Sequence, residues 1–242
     1  MSRLSGMLAW DIRMQISYGI YIAGAVFTSV WILLLWLLPA PALSLAIPTI
    51  IFSDLAVTGF FFMGAVILLE KAENSIRAVI ATPLTRSEYL LSKVLSLTVF
   101  LGIAALLIAG STAVPRGVPI RVTPLIGSVL LGCMFFNYVG FIAVAPVRNF
   151  NQFIAGTVPW LTLLAIPLVE LFVDIPAEWL RYLFFVHPTW SVLNLARAAL
   201  TDTPLWEIVF NFAYLGAWVF LLNRIAERSF QRNLVHPGGD RS

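Results

Sequence analysis

Hydrophobic positions along this chain gather into long runs, not into the short blocks that alternate in a soluble domain. No charged residue occurs between Met14 and Ser53, and stretches with at most one charge follow it further along the chain. A helix needs about 20 apolar residues to cross the hydrocarbon core of a bilayer. Dividing the runs at that length predicts spans over residues 19–38, 49–69, 94–113, 124–146, 153–172 and 205–222. Pro39, Pro41 and Pro48 separate the first two, because proline removes a helical hydrogen bond and crowds the preceding turn. Trp206 and Trp218 stand toward the ends of the last span, where interfacial anchors belong. The second span carries Asp54, about one and a half turns from its expected start. That places the carboxylate near the outer interface, since a deeper position is costly without a partner or a cavity.

Between the second and third runs lies the most polar stretch, residues 70–93. Seven of the chain's 27 formal charges fall there: Glu70, Lys71, Glu73, Arg77, Arg86, Glu88 and Lys93. A charged segment between two membrane-length runs is expected in water. Ile76, Val79, Ile80 and Leu84 recur at three- and four-residue steps, with Glu73 and Arg77 four apart on another face. This is the spacing of a short amphipathic helix with one supporting ion pair, and Pro83 ends it. Thr85-Arg86-Ser87-Glu88 reads as a capping box that starts a second helix. An ordinary solvated loop ahead of a capped helix fits the spacing equally well.

Two other segments break the pattern of spans. At the N-terminus Leu4, Met7, Leu8, Ile12 and Ile16 share one helical face while Arg3, Ser5, Asp11 and Arg13 lie elsewhere. Residues 1–17 are therefore expected to form an amphipathic helix in the interface plane. Residues 175–204 are too apolar for a loop, yet His187-Pro188 interrupts them, and Glu178, Arg181 and Arg197 add charge. Two helices of about ten residues cannot each span a bilayer, so an external re-entrant or interfacial hairpin is predicted. Residues 225–242 form a polar tail.

Composition confirms the class. The chain is 60% hydrophobic and 11% charged with a mean hydropathy of +0.92, against about 25% charged residues in a soluble domain. The expected fold is all-α and integral to the membrane, one domain over 1–242. Its formal charge of +3 reflects Arg and Lys at span ends and not a nucleic-acid surface, so no nucleic-acid partner is expected. With the N-terminus inside, eleven Lys and Arg lie on the inner side and four on the outer, Arg116, Arg121, Arg181 and Arg197. That bias places both termini and residues 70–93 in the cytoplasm. Cys133 is the single cysteine, and His187 and His236 are far from it, so neither a disulfide nor a metal set is expected.

Residues Ala78–Ser96, AVIATPLTRSEYLLSKVLS, resemble the intracellular segment that follows the second span in the membrane subunits of ABC-2 type transporters. The order of segments resembles that family over the whole chain, and the motif over about twenty residues. The size and short outer hairpin also look, more loosely, like drug-export permeases, including the fluoroquinolone-export type. The resemblance implies a permease dimer, homomeric or heteromeric, in a prokaryotic plasma membrane. Each copy would be bound by a separate nucleotide-binding ATPase through residues 70–93, with ATP and magnesium on that partner and no cofactor in this chain. The cargo implied is hydrophobic or amphipathic, a drug or a lipid. By the same mapping Glu73, Ile76, Arg77, Val79, Ile80, Leu84, Arg86 and Glu88 would meet the ATPase or pack beneath it.

The residues support that division of labour. A phosphate-binding loop needs G-x-x-x-x-G-K-[ST], and the two lysines of this sequence, Lys71 and Lys93, follow Glu70 and Ser92. Asp54, Thr58, Asn137 and Tyr138 are candidate pathway-lining groups, for which interhelical hydrogen bonding is an equal explanation. A membrane enzyme would need a convergent reactive set, and Asp54, Glu170 and His187 do not form one by spacing. A cation-coupled secondary transporter using Asp54 or Glu170 is the alternative.

Overall fold

A computed structural model describes residues 3–75, 85–172 and 184–235 of the 242-residue chain. The described residues are helical with short connections. In order they form α1 (Arg3–Ser17), α2 (Ile20–Leu37), α3 (Leu43–Ala72), α4 (Arg86–Ala113), α5 (Val122–Val144), α6 (Phe150–Leu164), α7 (Val169–Phe172), α8 (Pro188–Ala198) and α9 (Leu205–Phe230). Among the described residues five stretches are long and apolar enough to cross a membrane: Ile20–Leu37, Ala40–Ala72, Arg86–Arg116, Val122–Val144 and Leu205–Leu234. The protein is thus an all-helical, multi-pass membrane protein.

The bundle is built around α5, which packs against α3, α4, α8 and α9. Close approach of α3 and α5 depends on glycine. A Cβ on Gly140 would stand 2.7 Å from the Phe60 carbonyl oxygen and 3.0 Å from its Cα. Small residues at such crossings let two backbones meet, which is how membrane helices gain packing where lipid supplies no hydrophobic drive. By contrast α2 buries only Ile20, Gly24, Thr28 and Leu35, a single narrow stripe. Helix α9 likewise buries Asn211, Leu215, Val219, Leu222, Ala226 and Phe230, a seam at three- and four-residue steps.

Several boundaries differ from the sequence expectation. Helix α3 begins at Leu43 and carries Pro48 inside it, so Pro48 removes one hydrogen bond near the helix start without breaking the run. Asp54 is consequently the twelfth residue of α3 and is 2% exposed, well inside and not at the interface. The expected span 153–172 is interrupted. Helix α6 ends at Leu164, a 3-10 turn Ile166–Leu168 follows, and α7 adds one turn. Pro167 explains the break, since the residue before proline is disfavoured in helical geometry. At about 1.5 Å per residue, α6 alone reaches only about 23 Å.

The segment expected as an external hairpin is described only from residue 184 on; its first part lies outside the described residues. Its second helix, α8, is buried along Trp190, Val192, Leu193, Leu195 and Ala196. It packs on α5, α9 and α3, and the Ser128 hydroxyl of α5 donates to the Val192 carbonyl at 2.8 Å.

Candidate functional site

Helices α3 and α4 enclose the polar stretch 70–93, and the structure separates that stretch into buried roots and an intervening part. Residues 76–84, which include Ile76, Arg77, Val79, Ile80 and Leu84, lie outside the described residues. The flanks are well defined. Asn74, at φ +56°, ends the α3 side in the left-handed conformation, a common helix terminator. On the α4 side the Thr85 hydroxyl accepts from the Glu88 backbone N–H at 3.2 Å. The Glu88 carboxylate in turn accepts from the Thr85 N–H at 2.8 Å. The capping box read from sequence is therefore present. Arg86 and Glu88 lie in that first turn, Arg86 exposed and Glu88 half-buried.

Contrary to the expectation that all seven charges sit in water, Glu70 and Lys93 are 0% and 1% exposed. The reason is helical phase. Lys93 stands on the α4 stripe that includes Leu90 and Leu97, and Glu70 on the α3 stripe that includes Met63 and Ile67, all buried against the core. The Lys93 ammonium is shared between the carboxylates of Glu70 and of Asp11 on α1. The Tyr89 hydroxyl donates to Glu70 at 2.5 Å, and the Ser92 hydroxyl donates to Asp11. Trp10 and Tyr89 present ring faces to the Lys93 ammonium at 4.9 and 5.1 Å, a cation–π contribution that strengthens as water is excluded.

This arrangement also corrects the reading of α1. Its inward face is Met7, Asp11 and Gln15, at four-residue steps, while Ile16 is 55% exposed. The polar residues turn inward because α4 offers them partners. Gln15 donates to the Ser96 hydroxyl at 2.6 Å, and just after α1 the Tyr18 hydroxyl donates to Glu73 at 2.6 Å. Burial raises the Asp11 carboxyl above the usual range, with Lys93 and Ser92 pulling it back down. Burial and the Glu73 carboxylate likewise raise the Tyr18 phenol. Two carboxylates face one ammonium, so the cluster carries a formal charge of −1 when all three groups are ionised.

Lys71 was also expected in water. Its ammonium instead donates to the carbonyls of Val144, Ala145 and Val147 at 3.0, 2.8 and 2.7 Å, satisfying the open C-terminal end of α5. Asp11, Lys93, Glu70 and Lys71 therefore fasten α1, α3, α4 and α5 together at the two flanks of residues 76–84.

The candidate pathway residues Asp54, Thr58, Asn137 and Tyr138 are all buried. The Thr58 hydroxyl donates to the Asp54 backbone carbonyl, and the Asn137 amide donates to the Thr98 hydroxyl at 3.3 Å. Tyr138 is 1% exposed. The Trp31 side chain bears on the Asp54 carboxylate, but neither oxygen completes a hydrogen bond of normal geometry. On the far side Glu170 accepts from the Trp190 indole at 2.7 Å and faces Arg197 at 3.8 Å. Among the described residues no group of three or more His, Cys, Asp and Glu side chains is placed to hold a metal ion.

The described residues thus form a multi-pass helical bundle with a polar segment rooted in a buried charge cluster between two of its spans. Residues 2–237 match the model of the Fluoroquinolones export permease protein family, and the chain belongs to that family. It is similar to the fluoroquinolones export permease proteins of two Mycobacterium tuberculosis strains, CDC 1551 / Oshkosh and ATCC 25618. Each is 29% identical over 243 residues and is matched over 99% of both chains.

Proposed function

We propose that the protein is the permease subunit of an ATP-driven ABC-2 type drug exporter. It works as a dimer with separate nucleotide-binding ATPase subunits that dock on residues 70–93. The observation that carries this reading is the Asp11–Lys93–Glu70 cluster. It fixes both roots of the 76–84 segment to each other and to α1, so a force applied there reaches three helices at once. Membership in an export permease family supports the transport role, and a sequence without a phosphate-binding loop supports placing ATP and magnesium on a partner. Both termini and the docking segment face the cytoplasm in this reading. The cargo is a hydrophobic or amphipathic compound of drug-like size. A ligand biases a two-state machine only through its different affinity for the two states, so the ATPase pair must hold residues 70–93 differently before and after hydrolysis.

The test is gentle purification of the tagged chain from its native membrane and identification of what accompanies it. A stoichiometric soluble ATPase, released by Arg77→Ala together with Glu88→Ala while the permease still inserts, is the expected result. Full ATPase binding and transport in that variant would overturn the docking assignment. A cation-coupled carrier is the second reading, favoured by the Asp54 carboxylate, which is buried with no ion pair among the described residues. It requires that the chain emerge without an ATPase and that an imposed ion gradient drive export until Asp54→Asn abolishes it.

A further inference from the structure

Where α4 begins and α9 ends, a cleft of about 650 Å³ opens between the Thr85–Ser87 turn and one side of α9, lined there by Arg224, Glu227, Arg228 and Gln231. Three arginines and one carboxylate line it, and all three arginines are exposed. Glu227 is engaged along its own helix, by Arg224 at 3.7 Å and by the Asn223 amide at 3.3 Å. Among the described residues no carboxylate approaches Arg86 or Arg228 within 4 Å. The cleft therefore has a positive excess that the described protein does not neutralise. Its two walls come from residues about 140 apart in sequence, so the excess belongs to the fold and not to one charged run.

The depth of the cleft says what meets it. Counting about 20 residues from Leu205 as the hydrocarbon-spanning part of α9 puts Arg224 at the boundary with the headgroups and Arg228 one turn beyond. Phe220 and Leu221 just before Arg224, and Ile225 between the two arginines, are exposed, 63%, 46% and 37%, a surface suited to acyl chains. The Arg224 guanidinium lies over the Phe220 ring at 5.2 Å from its centroid, which marks where the apolar stripe changes to a basic one. Apolar side chains leading directly into a basic cleft at headgroup depth match a whole phospholipid, tail and phosphate together. Basic pockets between membrane helices bind anionic headgroups in this way, and guanidinium forks suit phosphate oxygens.

We propose that this cleft is a binding site for an anionic phospholipid. The phosphate sits among Arg86, Arg224 and Arg228, and the chains lie along Phe220, Leu221 and Ile225. Because Arg86 opens α4 and the other two close α9, the bound lipid ties the last helix to the root of the 76–84 segment.

Native mass spectrometry of the detergent-solubilised full chain tests this, with dioleoyl phosphatidylglycerol, dioleoyl phosphatidylcholine and soluble glycerol 3-phosphate as probes. The wild-type chain should retain phosphatidylglycerol in preference to phosphatidylcholine. Each basic side chain near an anionic headgroup is worth about fivefold in affinity, so Arg224→Gln with Arg228→Gln should weaken phosphatidylglycerol binding roughly 30-fold. Arg232→Gln, on the same side of the membrane but not lining the cleft, should leave binding unchanged and shows that the double variant's loss is local. Equal binding of the two lipids, or equal loss in Arg232→Gln, would overturn the site in favour of diffuse surface charge. Displacement of the lipid by glycerol 3-phosphate at matching concentration would instead identify a soluble-anion site. Loss of a co-purifying protein from the double variant, without change in lipid binding, would make the cleft a protein-docking face.

Discussion

Replacing Lys93 by methionine removes the one cation between Asp11 and Glu70 while keeping most of the side-chain volume. Asp11 and Glu70 are 1% and 0% exposed, so the change leaves two carboxylates facing each other without water. They keep one hydroxyl donor each, Ser92 for Asp11 and Tyr89 for Glu70. Breaking a buried ion pair from one side costs about 3–5 kcal/mol, which for a chain of this size lowers the melting temperature by roughly 10 °C. The triple change Asp11→Asn, Glu70→Gln, Lys93→Met removes all three charges and should recover to within about 2 kcal/mol of wild type, because replacing a whole buried network is far less costly than halving it. Thermal unfolding of the detergent-purified proteins, followed by intrinsic fluorescence and by size-exclusion recovery, measures both. If Lys93→Met melts with the wild-type chain, the three groups do not form a buried charged cluster. If the triple variant is as unstable as the single one, the loss comes from packing and not from stranded charge.

Two further outcomes follow from the geometry. Gly140→Ala should cost about 1–3 kcal/mol, because the new methyl meets the Phe60 backbone at 2.7 Å and not a side chain that can rotate away. Gly216→Ala has nothing within 4 Å and should be neutral or slightly stabilising in the same melting assay, so equal effects would refute the close α3–α5 crossing. Burial holds the His187 imidazole below its usual pKa, so the folded protein resists protonating it while the unfolded chain accepts a proton near pH 6.5. Its contribution to stability is present above pH 6.5 and is lost as pH falls through 6.5 toward the lower folded value. His187→Gln should flatten that part of the curve of melting temperature against pH, and an unchanged curve would refute the burial assignment.

Long apolar runs were readable as membrane helices because nothing but a bilayer requires twenty such residues in succession. The α4 start was readable because a capping box is local, four residues whose side chains and backbone satisfy one another. The charge cluster is a different kind of feature. Asp11 and Lys93 are 82 residues apart, and Lys93 and Glu70 are 23 apart, so no window of periodicity contains the three together. A charge beside an apolar run reads as the marker of its end, which is how Glu70, Lys71 and Lys93 came to be expected in water. The missed signal was phase. Lys93 falls in step with Leu90 and Leu97, and Glu70 with Met63 and Ile67, and a charge on the core stripe of a helix requires partners. Asp54 reads as shallow for a related reason: a span counted from after Pro48 puts the residue near its start, whereas α3 begins at Leu43 and runs through that proline.

Stability alone does not account for a lysine between two acids at this position. Apolar side chains of the same volume would hold α1 against α3 and α4 at lower desolvation cost, and α1 already contributes Met7 to the core. Hydrophobic contact is non-directional, however, and tolerates sliding of one helix along another. An ammonium held by Asp11, Glu70 and two ring faces does not, because a shift of one helical turn would strand all three charges. The cluster therefore fixes register among the three helices, and the Gln15–Ser96 and Tyr18–Glu73 hydrogen bonds extend that register along α1. Under the proposed function this is the property the docking segment needs. A pull on residues 76–84 would be wasted if its two roots could slip past each other, whereas roots locked by charge move as one body and carry α1 with them.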